Sequence, residues 1–524
     1  MMSKLSIVLL SVLAAVGCSS PKSPAGCSCD CDEASVLKRY HGPTFEVSSW
    51  KGEVSYHKIH DKFAGEVLEY VQKGCSSKDG VTVDVMFVAP LMYNNFPGSD
   101  HLSHRYDIVY GRYNMVYGNV GGCFPKKVCK VTVAKDAKAG KVQFGPMTVR
   151  VVDRVLPPPA EWKYFLDLWQ HPWAVSRYFD VEPFSDEHFE RMTPVYKTLA
   201  ECGVKALTVT LLDYPWNHQC YDAYESMIGR VKNDDGSWSF DYTIFDKYVE
   251  FGRRCGIGPD IACYTMCPWG YVVRWQDAEG NTKSATALPG SEIFNDYWGA
   301  FLVDFKKHLI EKGWFNDAYI AMDERAPKDV AIIAKFIQEK APGMKIAMAG
   351  NRKPSDFNGI VIDNYSQYLS YITPEFLSEI PDRRKNGWKT TLYVCCGPER
   401  PNTFMSSADN EAFWLGVYPQ LCGLDGFLRW AANSWPHDPY ADASFGDWKA
   451  GDTYLVYPEG EYSARLLSLR SGVVAAEKLR ILKESGVGEK KLKEFFANFH
   501  HSKAERKDFD FTSCRSAIEN FVNR

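Results

Sequence analysis

A regular alternation of short apolar runs and amphipathic stretches fills the chain from residue 160 onward, and it constrains the fold more than any other feature. The apolar runs are typical of buried strands, and helical stripes lie between most of them. The eight predicted strands are 164–169, 206–212, 260–266, 319–322, 345–349, 359–363, 391–395 and 426–430. Strands that alternate with helices form parallel sheets, and eight of them close into a barrel. The sequence therefore predicts an α/β fold with a (β/α)8 TIM barrel over residues 160–485.

The chain before the barrel has a different rhythm. Between residues 40 and 156, short alternating runs are separated by Gly, Asn, Asp and Lys turns, and no long helical period occurs. This pattern predicts an all-β sandwich domain. Its predicted strands include 44–47, 81–88, 106–110, 130–133 and 147–152. Three prolines at 157–159 exclude both helix and central strand and mark the domain boundary.

The two ends of the chain carry further predicted segments. Residues 1–18 contain Lys4, an apolar run too short to span a bilayer, and small residues before Cys18, as in a secretory signal. The ending 15–18 resembles a bacterial lipoprotein box, which implies a lipid anchor on Cys18 and a place in the bacterial cell envelope; an ordinary signal peptide is the alternative. Residues 19–39 are then a tether, and residues 486–524 are predicted to be a C-terminal helical extension. Contact with the membrane is expected only through the lipid.

Charge and cysteine usage narrow the possible partners. The net charge of -4 leaves no basic surplus, so nucleic acid is not a predicted partner. Cys27, Cys29 and Cys31 cluster in the tether, but alternate spacing without histidines is a poor zinc signature. We predict neither a metal nor another cofactor.

Asp323 and Glu324 end the fourth predicted barrel strand. Ligands of α/β barrels bind where the strands end at their carboxyl side, so this pair is expected to face the cleft. Two adjacent carboxylates repel each other, and one then stays ionised while the other keeps its proton near neutral pH. Acid-assisted cleavage of a glycosidic bond needs that combination. The plainer alternative is a solvated cap of the helix that starts at Pro327.

Aromatic and amide side chains are predicted at the ends of the other strands. Such a rim suits a sugar, which offers apolar faces for stacking and hydroxyls for hydrogen bonds. The candidate substrate-binding residues are His171, Trp216, Trp269, Asn364, Tyr365, Tyr393, Trp430 and Trp435. The chain contains 15 Trp, and each taken singly is as well explained by core packing, so the weight lies in their recurrence at strand ends.

Three segments together resemble glycoside hydrolase family 123. They are 319–324 with its acidic pair, 426–435 with two tryptophans, and 451–458 with its Gly-Asp-x-x-Leu-x-Tyr-Pro sequence. The resemblance covers nearly all of the chain after the signal. It implies a β-N-acetylgalactosaminidase whose substrate supplies its own 2-acetamido group as the nucleophile. By the same resemblance, Asp323 orients and polarises the acetamido group, and Glu324 acts first as general acid and then as general base.

The remaining site residues are assigned from their positions at the predicted strand ends. Tyr365 is predicted to bind the acetamido carbonyl, and Trp269, Trp430 and Trp435 are predicted to stack on the sugar. The predicted partner is therefore a glycan that contains N-acetylhexosamine.

Departures from the family pattern keep other readings open. Arg325 stands where relatives often carry proline, and 470–476 lacks an Asp and a Tyr that are common in relatives. One alternative is a non-catalytic glycan-binding lipoprotein. Another is a retaining glycosidase with a protein nucleophile drawn from Asp213, Asp363 or Glu399.

Overall fold

A computed structural model describes residues 42–72, 74–92, 97–103, 127–486, 490, 494 and 509–524. The predicted signal with Cys18, the tether 19–39 and the predicted strand 106–110 lie outside the described residues. Residues from Thr44 to Arg524 form one compact unit. Within the described ranges, every helix is too short or too polar to span a bilayer.

The N-terminal part of this unit consists of two sheets with a helix. Its strands are β1 (Phe45–Lys51), β2 (Val54–Ile59), β3 (Ser77–Lys78), β4 (Val81–Met92), β5 (Pro97–Ser103), β6 (Lys127–Val133), β7 (Gly140–Phe144) and β8 (Met147–Val155). One sheet has the order β1-β8-β7, and the other has the order β2-β6-β4-β3 with β5 paired to β4. Helix α1 (Asp61–Gln72) was not predicted. Phe63, Ala64 and Val67 lie on one face of α1 and are buried against the strands, so a single helical stripe interrupts the alternating pattern.

The predicted barrel is confirmed. Its eight strands are β9 (Phe165–Leu168), β10 (Ala206–Thr210), β13 (Asp260–Tyr264), β16 (Ala318–Met322), β17 (Lys345–Gly350), β18 (Asn364–Tyr368), β19 (Lys389–Val394) and β20 (Gly426–Arg429). They are parallel and follow the order β10-β13-β16-β17-β18-β19-β20-β9. The side chain of Gln170 completes the seam between β9 and β10, because its amide donates to the Ala206 carbonyl and accepts from the Thr208 N–H at 2.9 Å.

Helices cover the outside of the barrel. They are α2 (Pro172–Phe179), α3 (Asp186–Glu201), α4 (Thr243–Cys255), α5 (Glu292–Glu311), α6 (Pro327–Lys340), α7 (Pro374–Lys385), α8 (Asp409–Cys422) and α9 (Ala464–Glu484), followed by α10 (Phe511–Val522). Helices α8 and α9 pack closely, since a Cβ atom at Gly472 would overlap the Phe413 carbonyl oxygen. The indole N–H of Trp50 donates to the Val522 carbonyl at 3.0 Å and ties the N-terminal part to α10.

The sixth predicted strand, 359–363, was wrong. The strand in this place is β18, and its ladder pairs Asn364 with Ala347 and Tyr365 with Met348. The apolar run before it leads into the sheet from the amino-terminal side, and Asp363 there accepts a hydrogen bond from the Ile346 N–H at 2.9 Å. A short apolar run does not reveal which of its residues join the ladder.

A second sheet, which the sequence did not predict, is inserted into the loops of the barrel. Its strands are β11 (Gly229–Lys232), β12 (Trp238–Asp241), β14 (Val272–Asp277) and β15 (Thr282–Thr286), in the order β12-β11-β14-β15. The β11–β12 hairpin follows β10, and the β14–β15 hairpin follows β13, so both extend the side of the barrel on which Asp323 lies.

Candidate active site

Asp323 and Glu324 lie directly after strand β16, where the chain leaves the sheet. The side chain of Asp323 accepts a hydrogen bond from the indole N–H of Trp269 at 3.0 Å. Glu324 has different donors: the hydroxyl of Tyr393 donates to its Oε1 atom, and the amide of Asn351 donates to its Oε2 atom at 3.3 Å. The two neighbouring carboxylates are therefore oriented separately, by side chains from different barrel strands or loops.

Burial raises the pKa of both carboxyl groups. For Asp323, hydrogen bonds from the Glu324 backbone and Trp269 and the charge of Arg325 counter that effect. For Glu324, the Tyr393 hydroxyl and Arg325 lower the pKa, whereas the negative charge of Asp323 raises it further. Glu324 is thus the member of the pair that its neighbour's charge helps to keep protonated.

Tyr393 reaches Glu324 because of strand alternation. In β19, Lys389 points into the barrel, where it pairs with Asp260 and contacts the Tyr319 hydroxyl at 3.1 Å. With a period of two residues, Tyr393 points inward as well, one layer from the carboxyl end. Its ring packs against Tyr368, its ladder neighbour in β18, at 5.4 Å.

Three rings form an aromatic wall beside the acidic pair. Trp169, Trp216 and Tyr264 lie in mutual contact, with centroid distances of 4.5 to 5.1 Å. The wall is buried, and burial raises the pKa of Tyr264; the negative charges of Asp167 and Asp323 raise it further, so the wall lies near the acids. Among the described residues, nothing accepts a hydrogen bond from the indole N–H of Trp216. The sequence placed Trp169 and Trp216 at strand ends, whereas Tyr264 was hidden inside a predicted strand.

Tyr365 and Asn364 do not lie at the mouth, which corrects the prediction made from the misplaced strand. Tyr365 points outward between the sheet and the helices: its ring packs against Phe357 and its hydroxyl donates to the Arg352 carbonyl. Asn364 points inward at the other end of β18, where it lines a small cavity with Asp167. Neither side chain is placed to contact a sugar held by the acidic pair.

His171 and Trp435 were also predicted at the rim, but both are fully buried. The ring of His171 stacks on Tyr224 at 3.6 Å and caps helix α2, and burial lowers its pKa to about 3. The indole of Trp435 donates to the Val456 carbonyl at 2.7 Å and packs on Tyr178. The loop after β20 folds back over these positions, so these two residues belong to the core.

Trp430 is half-buried and packs edge-on against Trp448 at 5.7 Å. Its indole N–H donates at 3.1 Å to Asp452, which also forms a fully buried ion pair with Arg429. This pairing explains why 426–435 and 451–458 belong together in the sequence pattern. Trp269 is half-buried, and its N–H is directed at Asp323.

The three rival nucleophiles lie in other settings. Asp363 precedes β18 at the amino-terminal end of the barrel, the end opposite Asp323. Glu399 is 86% exposed and pairs with Lys449. Asp213 follows β10 and accepts a hydrogen bond from the Ser226 N–H at 2.7 Å. Among the described residues, no cluster of three His, Cys, Asp or Glu side chains is arranged to hold a metal ion.

The chain is similar to one family profile and to solved structures. The family profile described as the catalytic domain of glycoside hydrolase 123 matches residues 169–482. A family 123 glycoside hydrolase from Clostridium perfringens, studied for glycolipid glycan hydrolysis, is similar in structure with a TM-score of 0.74 and 22% identity, over 94% of this chain and 95% of that one. A glycoside hydrolase family 10 xylanase from termite gut reaches a TM-score of only 0.33 and 9% identity, over 83% of this chain and 100% of that one. None of the curated proteins compared with the chain matches it. On the family match over more than half of its length, the chain belongs to glycoside hydrolase family 123.

Proposed function

We propose that this glycosidase releases terminal β-linked N-acetylgalactosamine, or a related N-acetylhexosamine, from glycans by substrate-assisted catalysis with retention. The observation that carries the proposal is the separate orientation of Asp323 by Trp269 and of Glu324 by Tyr393. Two carboxylates at one strand end suffice for this chemistry because the substrate supplies the nucleophile.

The first step breaks the glycosidic bond. The acetamido carbonyl oxygen attacks the anomeric carbon, and Glu324 gives its proton to the departing oxygen. Positive charge grows on the amide nitrogen as an oxazolinium ring forms, and an ionised Asp323 that accepts the amide N–H stabilises it. In the second step, water attacks the anomeric carbon, Glu324 takes up its proton and the ring opens. Two inversions at the same carbon give net retention.

The electrostatics of the pair support this division of roles. The charge of Asp323 raises the pKa of Glu324, which suits a group that must begin protonated. The indole N–H at 3.0 Å favours the ionised form of Asp323. Asp363 and Glu399, by contrast, lie at the opposite end of the barrel and on an exposed surface, where a protein nucleophile would be misplaced.

The substrate class is a glycan that carries N-acetylhexosamine. The similar Clostridium perfringens protein is described by its hydrolysis of glycolipid glycans, which makes such glycans a first choice as natural substrates. The half-buried rings of Trp269 and Trp430 offer apolar faces of the kind that sugars stack on, whereas Trp169, Trp216 and Tyr264 are buried.

Aryl glycosides test the proposal. The purified protein is offered aryl β-N-acetylgalactosaminide, β-N-acetylglucosaminide and β-galactoside, with an acetamido-mimicking thiazoline as inhibitor. We expect cleavage of an acetamido sugar, inhibition by the thiazoline, and a loss of about 10²- to 10⁴-fold in kcat for Glu324→Gln with binding of the thiazoline retained. Cleavage of the β-galactoside at a comparable rate would overturn the mechanism, and full activity of Glu324→Gln would overturn the role of Glu324. Binding of an acetamido sugar without cleavage of any of the three glycosides would favour the glycan-binding alternative.

We also propose that the chain is anchored in the bacterial cell envelope through a lipid on Cys18. The support is the sequence 15–18 alone, since these residues lie outside the described ranges. Replacing Cys18 by serine should release the protein from the membrane fraction and remove its labelling by a fatty-acid analogue. Unchanged membrane recovery would contradict the anchor.

A further inference from the structure

Arg325 follows the acidic pair, and its guanidinium group lies over the ring of Trp269, 4.6 Å from the ring centroid. Its Nε and Nη2 atoms are inaccessible to solvent and have no hydrogen-bond partner within the described part of the chain. Burying unpaired donors of a cation is unfavourable unless nearby groups stabilise the charge. The ring face of Trp269 and the adjacent carboxylates are the groups that do so here.

The ring under Arg325 is the one that donates to Asp323. The face of the Trp269 indole contacts the guanidinium, and its N–H points at the Asp323 Oδ2 atom at 3.0 Å. A planar guanidinium stacked on the indole fixes the plane of the ring, and the plane of the ring fixes the direction of the N–H bond. The three side chains therefore form a chain of contacts that ends on one carboxylate.

We propose that Arg325 is a positioning residue for catalysis: stacked on Trp269, it holds the indole N–H on Asp323 and keeps that carboxylate ionised. The proposal rests on the proposed function for the role of Asp323. The cation acts on both acids, since its charge favours the ionised form of Asp323 and that of Glu324. Burial raises the pKa of both acids and Arg325 lowers it, so Arg325 moves the pH range of activity to lower pH.

Other charged and titratable groups also face these acids. They are Tyr264 and Tyr393 beside Asp323; Tyr393 and Tyr368 beside Glu324; and Cys267, Tyr271 and Asp329 beside Arg325. Arg325 is the cation that acts on both acids, whereas none of these neighbouring groups is a cation. The Tyr271 hydroxyl is already bound to Asp329 at 3.0 Å. A shift of activity with pH on changing Arg325 is therefore assigned to its effect on the acidic pair.

Arg325→Met tests the proposal, because it keeps a long side chain over the indole but removes the charge. The acidic limb of the pH profile of kcat/KM reports Asp323, and the basic limb reports Glu324. Loss of a nearby cation raises the pKa of a carboxyl group, so both limbs should move to higher pH, the acidic limb by about one unit. We expect kcat at pH 6 to fall about 10-fold with KM changed less than about threefold. Arg325→Lys should restore the limbs but not the full rate, since an ammonium group does not stack as a plane.

Lys328→Met is the matched control, because it removes an exposed positive charge three residues further along the chain. Its profile should coincide with that of the native enzyme. If Arg325→Met lowers the rate without moving either limb, or if both variants shift the limbs equally, Arg325 is a packing residue and the proposal is overturned.

A measurement independent of turnover separates this proposal from the proposed function. The fluorescence of Trp269, taken as the difference between the native protein and Trp269→Phe, should titrate with Asp323, and its midpoint should rise in Arg325→Met. If no acetamido sugar is cleaved by the native protein, the proposed function fails, whereas the fluorescence titration still decides the role of Arg325. An unshifted midpoint in Arg325→Met would refute that role.

Discussion

Replacing Tyr393 by phenylalanine removes one hydroxyl and keeps the buried ring. That hydroxyl donates to Glu324, and the ring packs on Tyr368 at 5.4 Å. A hydrogen bond to a charged group contributes about 1.5 to 3 kcal/mol. Because Glu324 becomes negative as it gives up its proton, the donor stabilises the transition state more than the ground state. The loss in kcat/KM should therefore be about 10- to 150-fold.

The pH profile shows in which direction the Tyr393→Phe variant changes the pKa of Glu324. The Tyr393 hydroxyl lowers the pKa of Glu324, so the variant should raise it further above its ordinary value. Glu324 must be protonated for the first step, and activity is lost as pH rises through its pKa. The basic limb should therefore move to higher pH in Tyr393→Phe, although the maximum rate is lower.

Aryl N-acetylhexosaminides with different leaving groups provide the assay. The variant should lose most with poor leaving groups, which need a proton, and least with acidic phenols, which depart without one. Tyr368→Phe is the control, because the ring of Tyr368 packs on that of Tyr393, whereas the hydroxyl that donates to Glu324 is that of Tyr393. A basic limb that moves down or stays in place, with equal losses for all leaving groups, would refute the assignment of Glu324 as the acid that Tyr393 supports.

Further predictions concern stability and thiol chemistry. Gly472→Ala should lower Tm, because the overpacked contact with Phe413 costs about 1 to 3 kcal/mol. The control Gly65→Ala lies in open space on helix α1 and should leave Tm unchanged or raise it. Equal effects of the two variants would contradict the packing argument. Burial raises the pKa of Asp167 to about 7, so its contribution to stability is present below the unfolded pKa of about 3.9 and is lost as pH rises to about 7. Asp167→Asn should flatten the fall in Tm between about pH 4 and pH 7, and an unchanged slope would count against the argument. A hydrogen bond from Cys395 lowers the pKa of Cys396 to about 7, so peptide mapping after iodoacetamide treatment should find Cys396 labelled first among the described cysteines, with half-maximal rate near that pH; earlier labelling of Cys255 would be the opposite result.

The sequence predicted the barrel because alternation of strands and helices is a property of long segments. Seven of the eight predicted strands overlap those of the structure, and the error at 359–363 is local. This local error nevertheless changed which residues were predicted to lie at the site. Moving the strand start to Asn364 puts Tyr368, instead of Tyr365, on the inward face at the carboxyl end. Site residues predicted from strand ends are therefore correct only where the register of the strand is correct.

Long-range pairing explains what else the sequence did not predict. His171 and Trp435 follow strand ends, as predicted. The backbone N–H of His171, however, donates to Asn433, which lies far away in the chain, and the indole N–H of Trp435 donates to the Val456 carbonyl. No local pattern distinguishes a tryptophan whose N–H finds a carbonyl in the core from one that faces a ligand. Trp269 shows the same limit in another way: its position was predicted, but its hydrogen bond to Asp323 depends on how two loops meet.

The point at which strand β16 ends is itself a requirement of the site. Tyr319 points into the barrel, where it contacts Lys389, so Asp323 keeps the inward direction by alternation, while Met322 points outward and is fully buried. If the strand continued, Glu324 would point outward with Met322, among the helices. The last ladder pair joins Met322 to Met348, and beyond it Glu324 turns to meet Asn351 and Tyr393. Two consecutive carboxylates can serve one sugar because the strand stops between the core and the acids.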